Sequence, residues 1–331
     1  MKKILAIAIA FSSVSLAACA NKSIESSSSS LSGIDFNYSN VIRMSYGQDL
    51  ENKQWSSGKE DCSARLIKES ILSNYEVHQY DERSFIIRQN KCSHVEAPIM
   101  YLMLGKNKNL LLDTGADEPT QGQELAGLVQ ELLSKYGNSS ELLVIHSHHH
   151  SDHTAGDSAF IKLANVELVA ANKDSFEDFY SKQEVKIDLG DRELSLLKTP
   201  GHQEEAITVY DSHTNWLLTG DSFYPGMLYV KNWADYKQSI ANIYEFAKTK
   251  PVSYVLGSHI EMSQEAGQMY KIGSLYQPDE ASMAMSLEDL QGLHQQLQAN
   301  EEGQLTAENY IVQPLNGVQK SLSNLVRWAK N

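Results

Sequence analysis

Residues 146–153 read His-Ser-His-His-His-Ser-Asp-His, and they follow the apolar run Leu142-Leu143-Val144-Ile145 without a break. A short continuous apolar run bounded by polar residues is the pattern of a buried strand. Imidazoles and a carboxylate at its end form a donor set that suits zinc, iron or manganese. Side chains at i and i+2 of an extended segment point the same way, so His148 and His150 can face one ion together. Asp152 and His153 come where the chain turns toward a helix, and the change of direction lets these neighbours reach a second ion. His146 and His149 fall out of register with that set and read as supporting or solvent-facing residues.

The surrounding chain alternates short apolar runs with helical patterns. Strands are expected at Ile99–Leu104, Asn109–Asp113, Leu142–His146, Glu167–Ala170, Glu193–Leu197, Ala206–Tyr210, Trp216–Thr219 and Ser253–Leu256. Helices are expected at Pro119–Tyr136, Ala155–Leu163, Asp174–Ser181, Ala234–Lys248 and Leu287–Ala299, with another near Val318–Ala329. Ser286 followed by Asp289 is a capping signal for the Leu287 helix. Strands mixed with helices on this scale mean a layered α/β domain.

Three later positions bear on the histidine run. His202 sits in the turn Thr199-Pro200-Gly201-His202, Asp221 ends the run Trp216-Leu217-Leu218-Thr219-Gly220-Asp221, and His259 ends Val255-Leu256-Gly257-Ser258-His259. Each follows an apolar strand pattern. With the H-x-H-x-D-H run from His148 to His153, and with Leu110-Leu111-Leu112-Asp113-Thr114-Gly115 upstream, they make the chain resemble the metallo-β-lactamase-fold hydrolase superfamily. The resemblance covers about residues 75–269. It implies an αββα sandwich of two mixed β-sheets with outer helices.

That resemblance also implies roles. His148, His150 and His202 would hold one divalent ion, and Asp152, His153 and His259 a second, with Asp221 bridging both. Asp113 would orient the histidine loop through hydrogen bonds. The expected ions are zinc, with iron or manganese as alternatives. The implied chemistry is hydrolysis by a metal-bridging hydroxide, with Asp152 orienting the nucleophile and passing a proton to the leaving group. An aspartate at 221 is similar to the thioesterase, lactonase and phosphodiesterase branches and unlike true β-lactamases. The substrate class is therefore an ester, thioester, lactone or phosphodiester. The rival readings are a β-lactamase-like amide hydrolase or an iron-dependent oxidoreductase of this fold, and a non-catalytic, membrane-tethered metal-binding lipoprotein. Tyr224, Tyr229 and Lys231, just beyond Asp221, are candidates for the wall of a small-molecule pocket, with ordinary loop packing as the alternative.

The amino terminus reads as a processing segment. Lys2 and Lys3 precede a short apolar run, and Leu16-Ala17-Ala18-Cys19 resembles a bacterial lipobox. This implies cleavage before Cys19 and lipid attachment to it, hence export to the bacterial cell envelope and an anchor facing the periplasm, with the outer membrane favoured. The domain plan is a signal peptide (1–18), a serine-rich tether (19–33), an N-terminal extension (34–74), the sandwich domain (75–275) and a mostly helical C-terminal extension (276–331). Export leaves Cys62 and Cys92 free to pair as a disulfide, which the sequence leaves open. The net charge of −14 and the lack of a basic patch exclude nucleic acid as an expected partner.

Overall fold

The computed structural model describes residues 43–321, except 57, 60, 61, 63–73, 117–121, 138, 140, 171, 182 and 183. The signal segment, the tether, Cys19 and most of the expected helix near Val318–Ala329 lie outside the described residues.

The two-residue period of the strands sets the layers. In β4 (Ile99–Leu104), Ile99, Tyr101 and Met103 enter one core while Met100, Leu102 and Leu104 enter another. β11 (Trp216–Gly220) divides the same way: Trp216 and Leu218 join the first core, and Leu217 joins a third. Strands with two apolar faces must be covered on both sides. The first core is the interior between two sheets. The second lies under α1 (Gly122–Tyr136), which contributes Leu125, Leu128, Val129 and Leu132. The third lies under α5 (Trp233–Ala247) and α6 (Leu287–Ala299). The result is the expected αββα sandwich.

Among the described residues, the first sheet has seven strands in the order β1 to β7, and the second has six, in the order β14-β13-β11-β10-β9-β8. The first comprises β1 (Arg43–Tyr46), β2 (Tyr75–Asp81), β3 (Ser84–Gln89), β4, β5 (Asn109–Leu112), β6 (Leu142–Ile145) and β7 (Val166–Leu168). The second comprises β8 (Glu184–Asp188), β9 (Glu193–Lys198), β10 (Ile207–Asp211), β11, β13 (Tyr254–Gly257) and β14 (Ala284–Met285). Tyr101 donates from the first sheet to the Gly257 carbonyl of the second at 2.6 Å. A third, small sheet joins β12 (Met227–Val230), β16 (Ile311–Pro314) and β15 (Leu305–Thr306).

The extensions differ from a plain reading of the sequence. The N-terminal one adds β1 parallel to β2 and lends Leu50 and Trp55 to the inter-sheet core. Cys62 and Cys92 are joined by a disulfide. The C-terminal extension is not mostly helical among its described residues. It supplies β14, β15 and β16 around the capped α6, whose Ser286 and Asp289 exchange bonds of 3.0 and 2.9 Å. Short strands of this kind carry little periodicity. The expected helix Ala155–Leu163 is instead two single turns, α2 (Ser151–Thr154) and α3 (Asp157–Phe160). Between them Ala155 N donates to Gly115 O at 3.1 Å, and a Cβ on Gly156 would stand 2.4 Å from Thr114 O. The β5–α1 connection docks there and interrupts the helix. α4 (Lys173–Phe179) and α5 fall within a residue or two of expectation.

Candidate metal centre

Every predicted donor sits where a strand runs out. β6 leads into the histidine loop, β9 into the turn of His202, β11 into Asp221 and β13 into His259. The turn at His202 depends on glycine: Gly201 has φ 141°, and a Cβ there would lie 2.4 Å from Tyr236 Cα at the start of α5. Its carbonyl accepts the amides of Lys231 and Asn232, each at 2.9 Å.

The donors gather into two groups that share Asp221. In the first, His150 Nδ1 lies 2.9 Å from His148 Nε2 and 3.1 Å from His202 Nε2, while Asp221 Oδ2 lies 3.7 and 3.6 Å from those two Nε2 atoms. In the second, Asp152 Oδ2 lies 3.2 Å from His153 Nε2 and 3.3 Å from His259 Nε2; Asp221 Oδ1 lies 3.5 and 3.3 Å from the same nitrogens. Ligands about 2.0–2.2 Å from a tetrahedral zinc stand roughly 3.3–3.6 Å apart, so both groups have the span of a four-ligand site. Buried His153 Nε2 and Asp221 Oδ1 have no hydrogen-bond partner. Lone pairs converging at this distance, with buried donors of that kind, fit divalent cations.

The far side of each ring is fastened, which fixes the nitrogen that faces inward. His202 Nδ1 lies 2.8 Å from the Tyr229 carbonyl, and His259 Nδ1 lies 3.0 Å from that of Glu96. His153 Nδ1 lies 2.9 Å from Asp113 Oδ2. Gln203 touches His150 Nε2 on the side away from the group. Asp113 also accepts the Ser147 amide at 2.6 Å and its hydroxyl at 2.8 Å, so it spans the histidine loop. Its own φ is 70°, a left-handed conformation that aspartate adopts more readily than most non-glycine residues.

Burial, then the His153 imidazole, holds His148 well below the usual imidazole range. Burial, then His202, takes His150 down to about 3. Both are neutral at neutral pH, as ligation requires. Burial works against the ionised carboxylates of Asp152 and Asp221, but the imidazoles of His153 and His259 outweigh it and hold both well below the carboxylate range.

The structure brings together His148, His150, Asp152, His153, His202, Asp221 and His259, with Asp113 behind them. His146 and His149 are not solvent-facing. His146 is 5% exposed with Nε2 3.2 Å from Asp157, and His149 is 6% exposed with Nδ1 3.5 Å from Glu205. Tyr224 and Tyr229 line a cavity of about 280 Å3 over the donors. Lys231 does not line it; its ammonium lies 2.9 Å from Glu204. Glu96, Gln203 and Glu261 line the cavity and were not singled out from the sequence. Gln203 directly follows His202 and Glu261 lies two residues past His259, so adjacency to donors was a usable signal. Glu96 comes from a distant loop and had none.

Fold and donors together define an α/β sandwich built to hold metal at one edge. Residues 99–259 match the family model described as Metallo-beta-lactamase superfamily. The matched segment is a little under half of the chain, and it carries every donor of the two groups. The chain is similar to the human acyl-coenzyme A thioesterase MBLAC2, with 25% identity over 220 residues, 54% of this chain and 77% of that protein. It is also similar to the probable metallo-hydrolase MJ0888 of Methanocaldococcus jannaschii, with 26% identity over 145 residues, 38% of this chain and 66% of that one. Among solved structures, a metallo-β-lactamase from Hirschia baltica aligns with a TM-score of 0.45 and 21% identity, covering 56% of this chain and 91% of that one.

Proposed function

We propose that the protein is a dinuclear metal-dependent hydrolase acting at the carbonyl of an ester, thioester or lactone. The observation that carries this is Asp221, which turns Oδ2 to His148 and His202 and Oδ1 to His153 and His259. One carboxylate reaching both donor groups supports a pair of ions rather than one. The name of the human relative supports carbonyl over phosphorus chemistry.

When bound, two divalent cations, zinc by preference, supply Lewis acidity that lowers the pKa of a shared water and polarises the substrate oxygen. The chain's own residues do the rest. Tyr229 O and Glu96 O orient the His202 and His259 rings. Asp152 has the most accessible side chain of the two carboxylate donors, 17% against 9% for Asp221. It commits Oδ2 to the second group and keeps Oδ1 to take a proton from the attacking water and return it to the leaving group. Tyr224 and Tyr229 cover one side of the substrate.

The test is turnover of a carboxylic ester, thioester, lactone, phosphodiester and β-lactam by the purified mature protein, with metal content measured alongside. Two zinc equivalents and hydrolysis of the carbonyl substrates are expected. Asp152→Asn should nearly abolish turnover. Iron at one equivalent with oxygen uptake would sink the reading in favour of an oxidoreductase, and no turnover at all would favour a metal-binding lipoprotein. The run Leu16–Cys19 supports export and lipid anchoring. Incorporation of labelled fatty acid, lost in Cys19→Ser, tests that part.

A further inference from the structure

We infer that the cavity over the donors selects substrates whose group beyond the scissile bond is uncharged or carries an ammonium, and that it rejects anionic ones. This rests on the hydrolase reading above and narrows its substrate class.

The argument is one of charge. Besides the donors, the ionisable residues lining the cavity include the carboxylates Glu96 and Glu261, and among the described lining residues there is no lysine or arginine. Glu261 is held in place: Oε2 accepts the Met227 amide at 2.8 Å and lies 3.2 Å from the Tyr224 hydroxyl. None of the nearby cations lines the cavity. Lys231 is 7% exposed and bonded to Glu204 at 2.9 Å. Lys91 is 3% exposed, donates to the Val95 carbonyl at 3.3 Å, and stands behind the wall where the charges of Glu261 and Glu96 reach it. Arg88 is committed to Glu280 through bonds of 2.6 and 2.7 Å.

Two divalent ions bring four positive charges, and Asp152 and Asp221 cancel two of them. The ions with their aspartates would keep two positive charges, and Glu96 and Glu261 would set two negative charges on the wall beyond them, so the loaded cavity would be neutral overall and negative only away from the ions. Beyond the ions, a carboxylate or phosphate on the substrate then meets like charge and, among the described lining residues, no guanidinium or ammonium, while an ammonium or hydroxyl finds an acceptor. A coenzyme A thioester carries several phosphate charges. The cavity therefore argues against that carrier even though a relative bears its name.

The experiment has two arms on the zinc-loaded full-length protein. The first measures calorimetric binding of three matched benzohydroxamates that carry no charge, a para-carboxylate or a para-trimethylammonium. The second measures kcat/KM for acetate esters with the same three groups, and for one acyl chain on coenzyme A against N-acetylcysteamine. At low salt the ammonium hydroxamate should bind about tenfold tighter than the carboxylate form, and the neutral thioester should be the better substrate. Glu96→Gln, on an exposed side chain, and Glu261→Gln should each shrink that ratio severalfold. Equal binding of the three hydroxamates, no binding of the ammonium form, or preference for coenzyme A overturns the inference. If no ester or thioester is turned over, the hydrolase reading falls while the order of hydroxamate binding still decides the charge preference.

Discussion

Asp113 Oδ2 lies 2.9 Å from His153 Nδ1, so the carboxylate that anchors the histidine loop also fixes which nitrogen of His153 faces the donors. Asp113 is fully buried, and its other oxygen holds the Ser147 amide at 2.6 Å. Replacing it removes an acceptor from two buried donors at once. Asp113→Ala should cost about 2–4 kcal/mol of stability. Because His153 loses its orientation, zinc affinity should fall roughly 10–100-fold. Competition with a chromophoric chelator measures the affinity, and an unchanged value would show that the loop holds its geometry without Asp113.

This anchor, the donors and the strands that carry them were legible because each donor ends a short apolar run. Much of the remaining sheet was not. β2 and β3 are nearly all buried yet contain Glu76, His78 and Arg88, which read as surface residues. Their charges are satisfied by distant partners: Glu76 by Lys53 at 3.0 Å, and Arg88 by Glu280, 192 residues away. A local window cannot see such partners, so polarity masked burial. The carbonyls of Tyr229 and Glu96, which hold two of the histidines, have no side-chain signature at all. Lys231 failed as a pocket residue for a related reason, since Glu204 satisfies it from behind the wall.

Asp221 reaches both donor groups, so its loss should be felt in stoichiometry as well as rate. Asp221→Ala leaves three imidazoles in one group and Asp152, His153 and His259 in the other. Tightly held zinc should drop from two equivalents to one or fewer, and kcat should fall at least about 100-fold. Metal analysis after gel filtration, paired with ester kinetics, checks both. Two retained equivalents would mean that the groups bind independently and that the bridge is dispensable.

Lys91 gives a pH prediction away from the donors. Burial, then the neighbouring Arg88, lowers its ammonium to about 8 from an ordinary 10.5, against the pull of Glu280, Glu261 and Glu96. The folded pKa lies below the unfolded one, so between pH 8 and 10.5 the unfolded chain binds more protons and stability rises with pH. Below pH 8 both states are protonated and the burial penalty is carried in full. Relative to Lys91→Met, the native protein should therefore gain stability across that window, by at most about 3 kcal/mol. Denaturant unfolding of the two proteins at pH 7.5 and 10.5 gives the difference. A constant gap would mean that Lys91 titrates alike in both states.

The Cys62–Cys92 disulfide lies close in sequence to the metal centre, because Cys92 belongs to the loop whose Glu96 carbonyl receives His259 Nδ1 at 3.0 Å. Two effects of removing it can be separated. The loop carries its own backbone bonds, from Ser93 and His94 to Asn90 O at 2.9 and 3.0 Å and from Ala97 to His94 O at 3.1 Å, so its local shape does not depend on the cross-link. The cross-link spans 30 residues, and constraining the unfolded chain over that length is worth about 3–4 kcal/mol. The double variant Cys62→Ser with Cys92→Ser should thus unfold at markedly lower denaturant while still binding two zinc equivalents. Loss of one zinc with an unchanged unfolding midpoint would place the disulfide's contribution in the site rather than in the chain.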